Sequence, residues 1–247
     1  MTAFDDSDFL FIGHRGYAGH SPENTLAGFR DADRVGLKMV ELDVRLSRDR
    51  RLMVIHDDNL ERVAGVSRRV RDLTCAELQA LDVGAWFAPA FSGQGVPTLD
   101  QVFGQLPRRM WVNVEIKPDE YDPVDSPEGI EAQVLGLIRR LGARQRTLVS
   151  SFNPHILRRL RRMDEILPLA VLSDAECQPD GLAICQAIGA TAWNPHYPLV
   201  TPRNVAAAHH QGLKVFPFVV NTAEVYASVL AAGVDGVFSD DPLALMD

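Results

Sequence analysis

The sequence predicts an α/β fold of the TIM (β/α)₈ barrel type, and three observations predict it. The chain has 247 residues, about the length that such a barrel needs. Short β-rich runs alternate with amphipathic stretches, the order expected of a parallel sheet covered by helices. Nine β-rich runs can be counted, and one adjacent pair lies too close in sequence to be parallel, which leaves eight parallel strands.

The nine runs are Phe9–Gly13, Met39–Arg45, Leu52–His56, Trp111–Ile116, Thr147–Ser151, Leu169–Leu172, Thr191–Asn194, Lys214–Val220 and Gly236–Ser239. Only Leu46–Arg51 separates the second from the third, whereas a parallel crossover takes about a dozen residues or more. These two are therefore predicted to form an early antiparallel hairpin. Between the strands, Ser21–Thr25 reads as a helix start with proline in the first turn, which gives Glu23 and Asn24 structural roles. The stretch Asp57–Arg109 is longer than a simple connection. It is predicted to be a small insertion over one end of the barrel, holding one or two short helices including Thr98–Leu106, within a single domain over residues 1–247. Ile130–Leu141 places apolar groups three and four apart and stops at Gly142, which predicts a helix. Asn221–Glu224 reads as a capping box opening a helix over Val225–Ala232, and Asp240-Asp241-Pro242 reads as another helix start.

Composition narrows the function. Hydrophobic residues make up 46% and charged residues 23%, which is ordinary for a globular protein. The net charge is −8 and the arginines are interleaved with acids, without the basic stripe of nucleic-acid binders. Nucleic acid is therefore not an expected partner, while a small substrate with one phosphate needs only a few local cations. The segment Met1–Asp8 is acidic and lacks the basic region and cleavage site of a signal peptide. No apolar run approaches the ~20 residues that span a bilayer, so no stable membrane insertion is expected. Cys75, Cys177 and Cys185 are odd in number and show no Cys-x-x-Cys spacing, which reads as reduced thiols of a cytoplasmic protein. Apolar faces on the outer helices leave room for a homodimer.

Active sites of such barrels lie at the C-terminal ends of the strands. Those ends carry His14-Arg15, Glu41-x-Asp43 and Glu115-x-Lys117, and the return strand of the hairpin ends at His56-Asp57. Residues two apart on a strand share a face, so Glu41 with Asp43, and Glu115 with Lys117, point into the barrel. Three converging carboxylates repel one another unless a cation lies between them, and an all-oxygen ligand set favours Mg²⁺ or Ca²⁺ over zinc. The alternative is a set of buried ion pairs, Glu115 with Lys117 and Asp43 with Arg15. Lysine is rare here, 3 against 22 arginines, so a lysine at 117 goes against the chain's own background. Lys117 as a point charge and Arg15 as a planar fork both suit phosphate oxygens. Histidine is the side chain whose ordinary titration range lies near neutral pH, so His14 and His56 suit general acid–base work on an alcohol. His20, His155, His209 and His210 read as surface residues, and Trp193, His196 and Tyr197 as possible pocket walls.

Taken in order, His14-Arg15-Gly16, Pro22-Glu23-Asn24-Thr25, Glu41-Leu42-Asp43-Val44, Val54-Ile55-His56-Asp57, Pro97-Thr98-Leu99 and Glu115-Ile116-Lys117 resemble the glycerophosphodiester phosphodiesterases. The resemblance continues through Ser150-Ser151-Phe152 to Gly233–Asp240 and so covers nearly the whole chain. It implies a TIM barrel with an insertion after the hairpin and a glycerophosphodiester substrate. It implies His14 and His56 as the acid/base pair and Glu41, Asp43 and Glu115 as ligands of a divalent metal. It also implies Arg15 and Lys117 as phosphate-binding groups. In that family the glycerol hydroxyl next to the phosphate attacks, and water opens the resulting cyclic phosphate, giving glycerol 3-phosphate and an alcohol. The chain departs from the family pattern in two places. Phe218-Val219-Val220-Asn221 stands where Trp-Thr-Val-Asn is common, keeping an aromatic surface for substrate at Phe218. Arg62-Val63-Ala64-Gly65 stands where Arg-Thr-Thr-Gly is common. Two alternatives are a lysophospholipase D, with an acyl groove near Ala64-Gly65-Val66 and Ala85-Trp86-Phe87, and a non-catalytic phosphodiester-binding protein.

Overall fold

Eight parallel strands form the barrel wall in the computed structural model, which describes residues 9–176 and 180–246. The strands of the first half are β1 (Leu10–Gly13), β2 (Met39–Leu46), β3 (Leu52–Val54), β4 (Asn59–Leu60) and β5 (Val66–Arg69). They are followed by β6 (Trp111–Ile116), β7 (Thr147–Ser151), β8 (Leu169–Ser173), β9 (Ala192–Pro195), β10 (Lys214–Val215) and β11 (Gly236–Ser239). The wall runs β10-β9-β8-β7-β6-β2-β1-β11, all parallel. Its last seam is closed by single backbone bonds, Asp235 N–H to Val215 O at 3.0 Å, Phe238 N–H to Pro217 O at 2.9 Å and Val220 N–H to Phe238 O at 2.8 Å. The strand expected over Lys214–Val220 is regular only at Lys214–Val215, because Pro217 has no N–H to continue the ladder. The expected hairpin forms: β3 runs antiparallel to β2, with Val44 opposite Val54 and Leu46 opposite Leu52.

The helices are α1 (Leu26–Arg34), α2 (Glu61–Ala64), α3 (Cys75–Gln79), α4 (Leu99–Gln105), α5 (Ile130–Arg140), α6 (Pro154–Met163), α7 (Gly181–Ile188), α8 (Pro202–His210) and α9 (Ala223–Ala231). Strand alternation sorts the side chains into two layers. Val40, Leu42 and Val44 of β2 and Val112, Val114 and Ile116 of β6 face outward into the core shared with the helices. Ile12, Met39, Leu148, Ala170, Ala192, Phe216 and Phe238 form a separate plug inside the barrel. Residues 53–96 carry their own small core of Met53, Ile55, Leu60, Val63, Val70, Leu78 and Val96.

Several local expectations need correcting. The β4–β5 ribbon inside the insertion was not expected, since strands this short leave no alternation in the sequence. Helix α4 begins at the expected place, with a capping box between Thr98 and Gln101. The box expected at Asn221–Glu224 does not form. Thr222 caps α9 by accepting from Val225 N–H at 3.3 Å, and Asn221 is turned toward Asp240. Helix α5 ends as expected, with Gly142 at φ 60° just beyond it. Cys75 and Cys185 are free thiols, while Cys177 and the segment Met1–Asp8 lie outside the described residues. Among the described residues, no helix is long and apolar enough to cross a membrane.

Candidate active site

Strands β2 and β6 are neighbours, with Asp43 directly opposite Glu115 and Glu41 opposite Asn113. The odd-numbered residues of both strands point inward above the plug, so three carboxylates meet in one place. One oxygen from each of Glu41, Asp43 and Glu115 lies within 4.8 Å of the others, and all three residues are buried. Lys117 Nζ donates to Glu115 Oε1 at 2.7 Å and to Asp43 Oδ1 at 3.2 Å. Arg15 donates its backbone N–H to Glu41 Oε2 at 2.9 Å, and its Nε lies 3.4 Å from Asp43 Oδ2 without a hydrogen bond.

The ion pairs considered from the sequence are therefore present, but they do not neutralise the cluster. Burial, and after it the charges of Asp43 and Glu115, push the Glu41 carboxyl well above its usual range. Burial also pushes Asp43 up, but Lys117, Arg15 and His56 outweigh it and hold the carboxyl low. Burial opposes the charge on Lys117, yet Glu115 and Asp43 raise its pKa on balance. A buried, oxygen-only set with an excess of negative charge fits a hard divalent cation.

The turn after β1 is backbone-strained. Arg15 has φ 51° and Gly16 φ 98°, and a Cβ at Gly16 would come within 3.1 Å of the Gly28 carbonyl carbon. This turn aims the Arg15 N–H at Glu41. Asn24, at φ 56°, donates from Nδ2 to Asp43 Oδ2 at 2.8 Å and accepts from the Asp43 N–H at 3.3 Å. Glu23 accepts from Arg15 Nη1 at 2.8 Å. Glu23 and Asn24, expected to be structural, thus hold Arg15 and Asp43 in place from outside the cavity lining.

Each histidine is fixed through Nδ1. His14 Nδ1 pairs with Asp240 Oδ1 at 2.7 Å, and Asp240 is gripped by Asn221, whose Nδ2 donates at 2.6 Å and whose Oδ1 accepts the Asp240 N–H at 2.9 Å. His56 Nδ1 pairs with Asp57 Oδ1 at 2.7 Å, while Arg45 Nε donates to the His56 carbonyl at 2.7 Å. Burial, with help from Lys117 and Arg15, lowers the His56 pKa against the pull of Asp43 and Asp57. Asp241, as expected, starts the short turn Pro242–Leu245, but Asp240 serves His14 instead. No signal local to residues 221–240 marks that role, because the partner lies at the other end of the chain.

A cavity of about 220 Å³ opens on this cluster. His14, Arg15, Glu41, His56, Glu115 and Lys117 line its polar wall, and Phe152, Leu172, Phe218, Val219 and Phe238 its apolar wall, with Asn113 between them. Asp43 sits immediately behind, so all eight residues singled out from the sequence meet here. Phe218 meets Phe152 edge-on at 5.8 Å and stacks on His196 at 5.6 Å. Trp193 is not a pocket wall, since it is buried and its indole donates to Ser173 Oγ at 2.6 Å. His196 and Tyr197 also lie outside the lining, with His196 backing Phe218. Of the remaining histidines, His20 and His209 are exposed and pair with Asp241 and Asp235.

Residues 14–244 match the glycerophosphoryl diester phosphodiesterase family. The chain belongs to this family and is an enzyme of its class. A glycerophosphodiester phosphodiesterase from Caldanaerobacter subterraneus subsp. tengcongensis is 34% identical over 240 residues, covering 96% of each chain. Another from Bacillus altitudinis is 34% identical over 93% of each chain. Among solved structures, a phosphodiesterase from Oleispira antarctica in complex with the product sn-glycerol-3-phosphate superposes with a TM-score of 0.83 at 27% identity, covering 96% of this chain and 95% of that one. A glycerophosphodiester phosphodiesterase from Agrobacterium tumefaciens gives a TM-score of 0.81 at 27% identity, covering 96% and 98%.

Proposed function

We propose that the chain hydrolyses glycerophosphodiesters to glycerol 3-phosphate and an alcohol, with two histidines as proton carriers and a divalent cation held by Glu41, Asp43 and Glu115. The observation that carries this reading is the pair of imidazoles, each anchored at Nδ1 by a carboxylate, on the wall of one cavity with three carboxylates, Arg15 and Lys117. The Oleispira relative, bound to sn-glycerol-3-phosphate, supports the substrate class. On the same reading residues 1–247 act as one catalytic domain, with 57–109 as its insertion.

Anchoring at Nδ1 leaves Nε2 of each ring to exchange a proton with the substrate. One ring takes the proton of the attacking hydroxyl, and the other returns one to the departing alkoxide. Arg15 and Lys117 bring positive charge to the non-bridging phosphate oxygens. Mg²⁺ or Ca²⁺, when bound, would act as a Lewis acid on the phosphoryl group and favour the ionised form of a bound hydroxyl. Phe152, Phe218 and Phe238 set an apolar wall beside these charged groups.

The test is release of glycerol 3-phosphate from glycerophosphocholine by metal-stripped protein, with Mg²⁺ or Ca²⁺ added back. Release should require the metal and fall by roughly 10²–10⁴-fold in either His14→Ala or His56→Ala. Unchanged turnover in a folded His14→Ala protein would overturn the assignment.

A further inference from the structure

We propose, on the reading of the site given above, that Arg62 is a positioning residue that sets His56 and Arg15 together, one through each of two carboxylates. Its Nη1 and Nη2 grip the two oxygens of Glu23 at 2.7 and 2.8 Å, and its Nε donates to Asp57 Oδ2 at 2.7 Å. Glu23 Oε1 also accepts from Arg15 Nη1 at 2.8 Å, and Asp57 Oδ1 pairs with His56 Nδ1 at 2.7 Å. A single carboxylate thus separates Arg62 from the phosphate-binding cation on one side and from a proton carrier on the other.

The geometry calls for a planar fork with three engaged N–H groups, which arginine has and lysine lacks. Without Arg62, Asp57 loses the bond that fixes its rotation, and His56 can swing with it. Glu23 would then face Arg15 as its only cation and could draw that guanidinium toward itself. Arg62 stands on α2, inside the insertion, with its guanidinium carbon 5.8 Å from the Trp86 ring. The insertion therefore supplies support to the barrel site that the barrel itself lacks on that side. His14 has no such device, since Asn221 holds its carboxylate. The Arg62 side chain is 41% exposed, so its removal leaves no core cavity.

The two arms predict separable kinetics in glycerophosphocholine hydrolysis by metal-loaded protein. Asp57→Asn should lower kcat roughly tenfold with KM little changed, and Glu23→Gln should raise KM roughly tenfold with kcat little changed. Arg62→Ala should do both with a melting temperature near wild type, and Arg62→Lys should recover only a small part of either loss. In the Arg62→Ala background, Asp57→Asn and Glu23→Gln should each cost less than alone, as linked groups do. Arg62→Ala with kcat and KM both within twofold of wild type would overturn the proposal. So would losses that multiply through the double variants, or that track a lowered melting temperature. If the wild type cleaves no diester, the functional reading fails, and titration with sn-glycerol 3-phosphate decides separately. There, weaker binding in Arg62→Ala and Glu23→Gln but not in Asp57→Asn supports the proposal, and equal binding in all of them overturns it.

Discussion

Asp240 holds His14 from 226 residues away in sequence, and Asn24 holds Asp43 from 19 away. Neither partnership could be read locally, because each joins segments that only the folded barrel brings together. Glu41, Asp43, Glu115 and Lys117 were legible, since a spacing of two on a strand fixes a common face whatever else the chain does. Asp240→Asn should leave the protein folded while lowering kcat at least tenfold, because an amide no longer stabilises a protonated His14. Steady-state turnover of glycerophosphocholine checks this, and a change confined to KM would contradict it.

Helices α5 and α6 are tied by Arg159, whose Nη1 donates to Glu131 Oε1 at 3.0 Å and whose Nη2 donates to the Asp122 carbonyl at 2.9 Å. Both side chains of the pair are almost fully buried, so removing one strands the other without solvent. Arg159→Met should therefore destabilise the protein by about 3 kcal/mol, read from urea denaturation. The cap of α4 is a smaller effect of the same scale. Thr98→Ala removes a hydroxyl that accepts from Gln101 N–H at 3.3 Å and should cost about 1 kcal/mol in the same measurement. The start of α4 was legible, since the predicted helix begins at Thr98, although its cap was not read from the sequence. The cap at Thr222 was not legible, because Asn221 and Glu224 imitate a box in a window where Asn221 is wanted elsewhere.

Whole-molecule stability should depend on acid through Asp164. Burial raises its pKa, but bonds from Arg139 and the Ile166 N–H, with the charge of Arg144, outweigh burial and lower it. A carboxyl whose folded pKa lies below its unfolded value stabilises the fold above the unfolded value of about 4 and loses that contribution as pH falls through the folded one. Asp164→Asn should thus be less stable than wild type at neutral pH, with the gap closing under acid, in chemical denaturation run from pH 7 to pH 3. Metal should act in the opposite sense on the whole fold. A divalent cation between Glu41, Asp43 and Glu115 relieves their repulsion, and at a hundredfold excess over Kd would add about 2.7 kcal/mol. Chelation should therefore lower the melting temperature of the wild type but not of Glu41→Gln/Glu115→Gln.

The sequence by itself determined the parallel strands, the hairpin at β2–β3 and which side chains face the barrel interior. It did so because crossover length and strand periodicity are local rules that need no knowledge of neighbours. It also placed seven of the eight candidate site residues, because in this architecture the strand ends that carry chemistry can be located once the strands are, while Phe218 came from the resemblance to the family pattern. Only the tertiary structure decided the supports of the site: Asp240 and Asn221 behind His14, Asn24 behind Asp43, and Arg62 with Glu23 behind His56 and Arg15. Those contacts join segments that meet when the wall closes or the insertion folds over its end, and hydrogen bonds between such distant segments leave no periodic trace in either one.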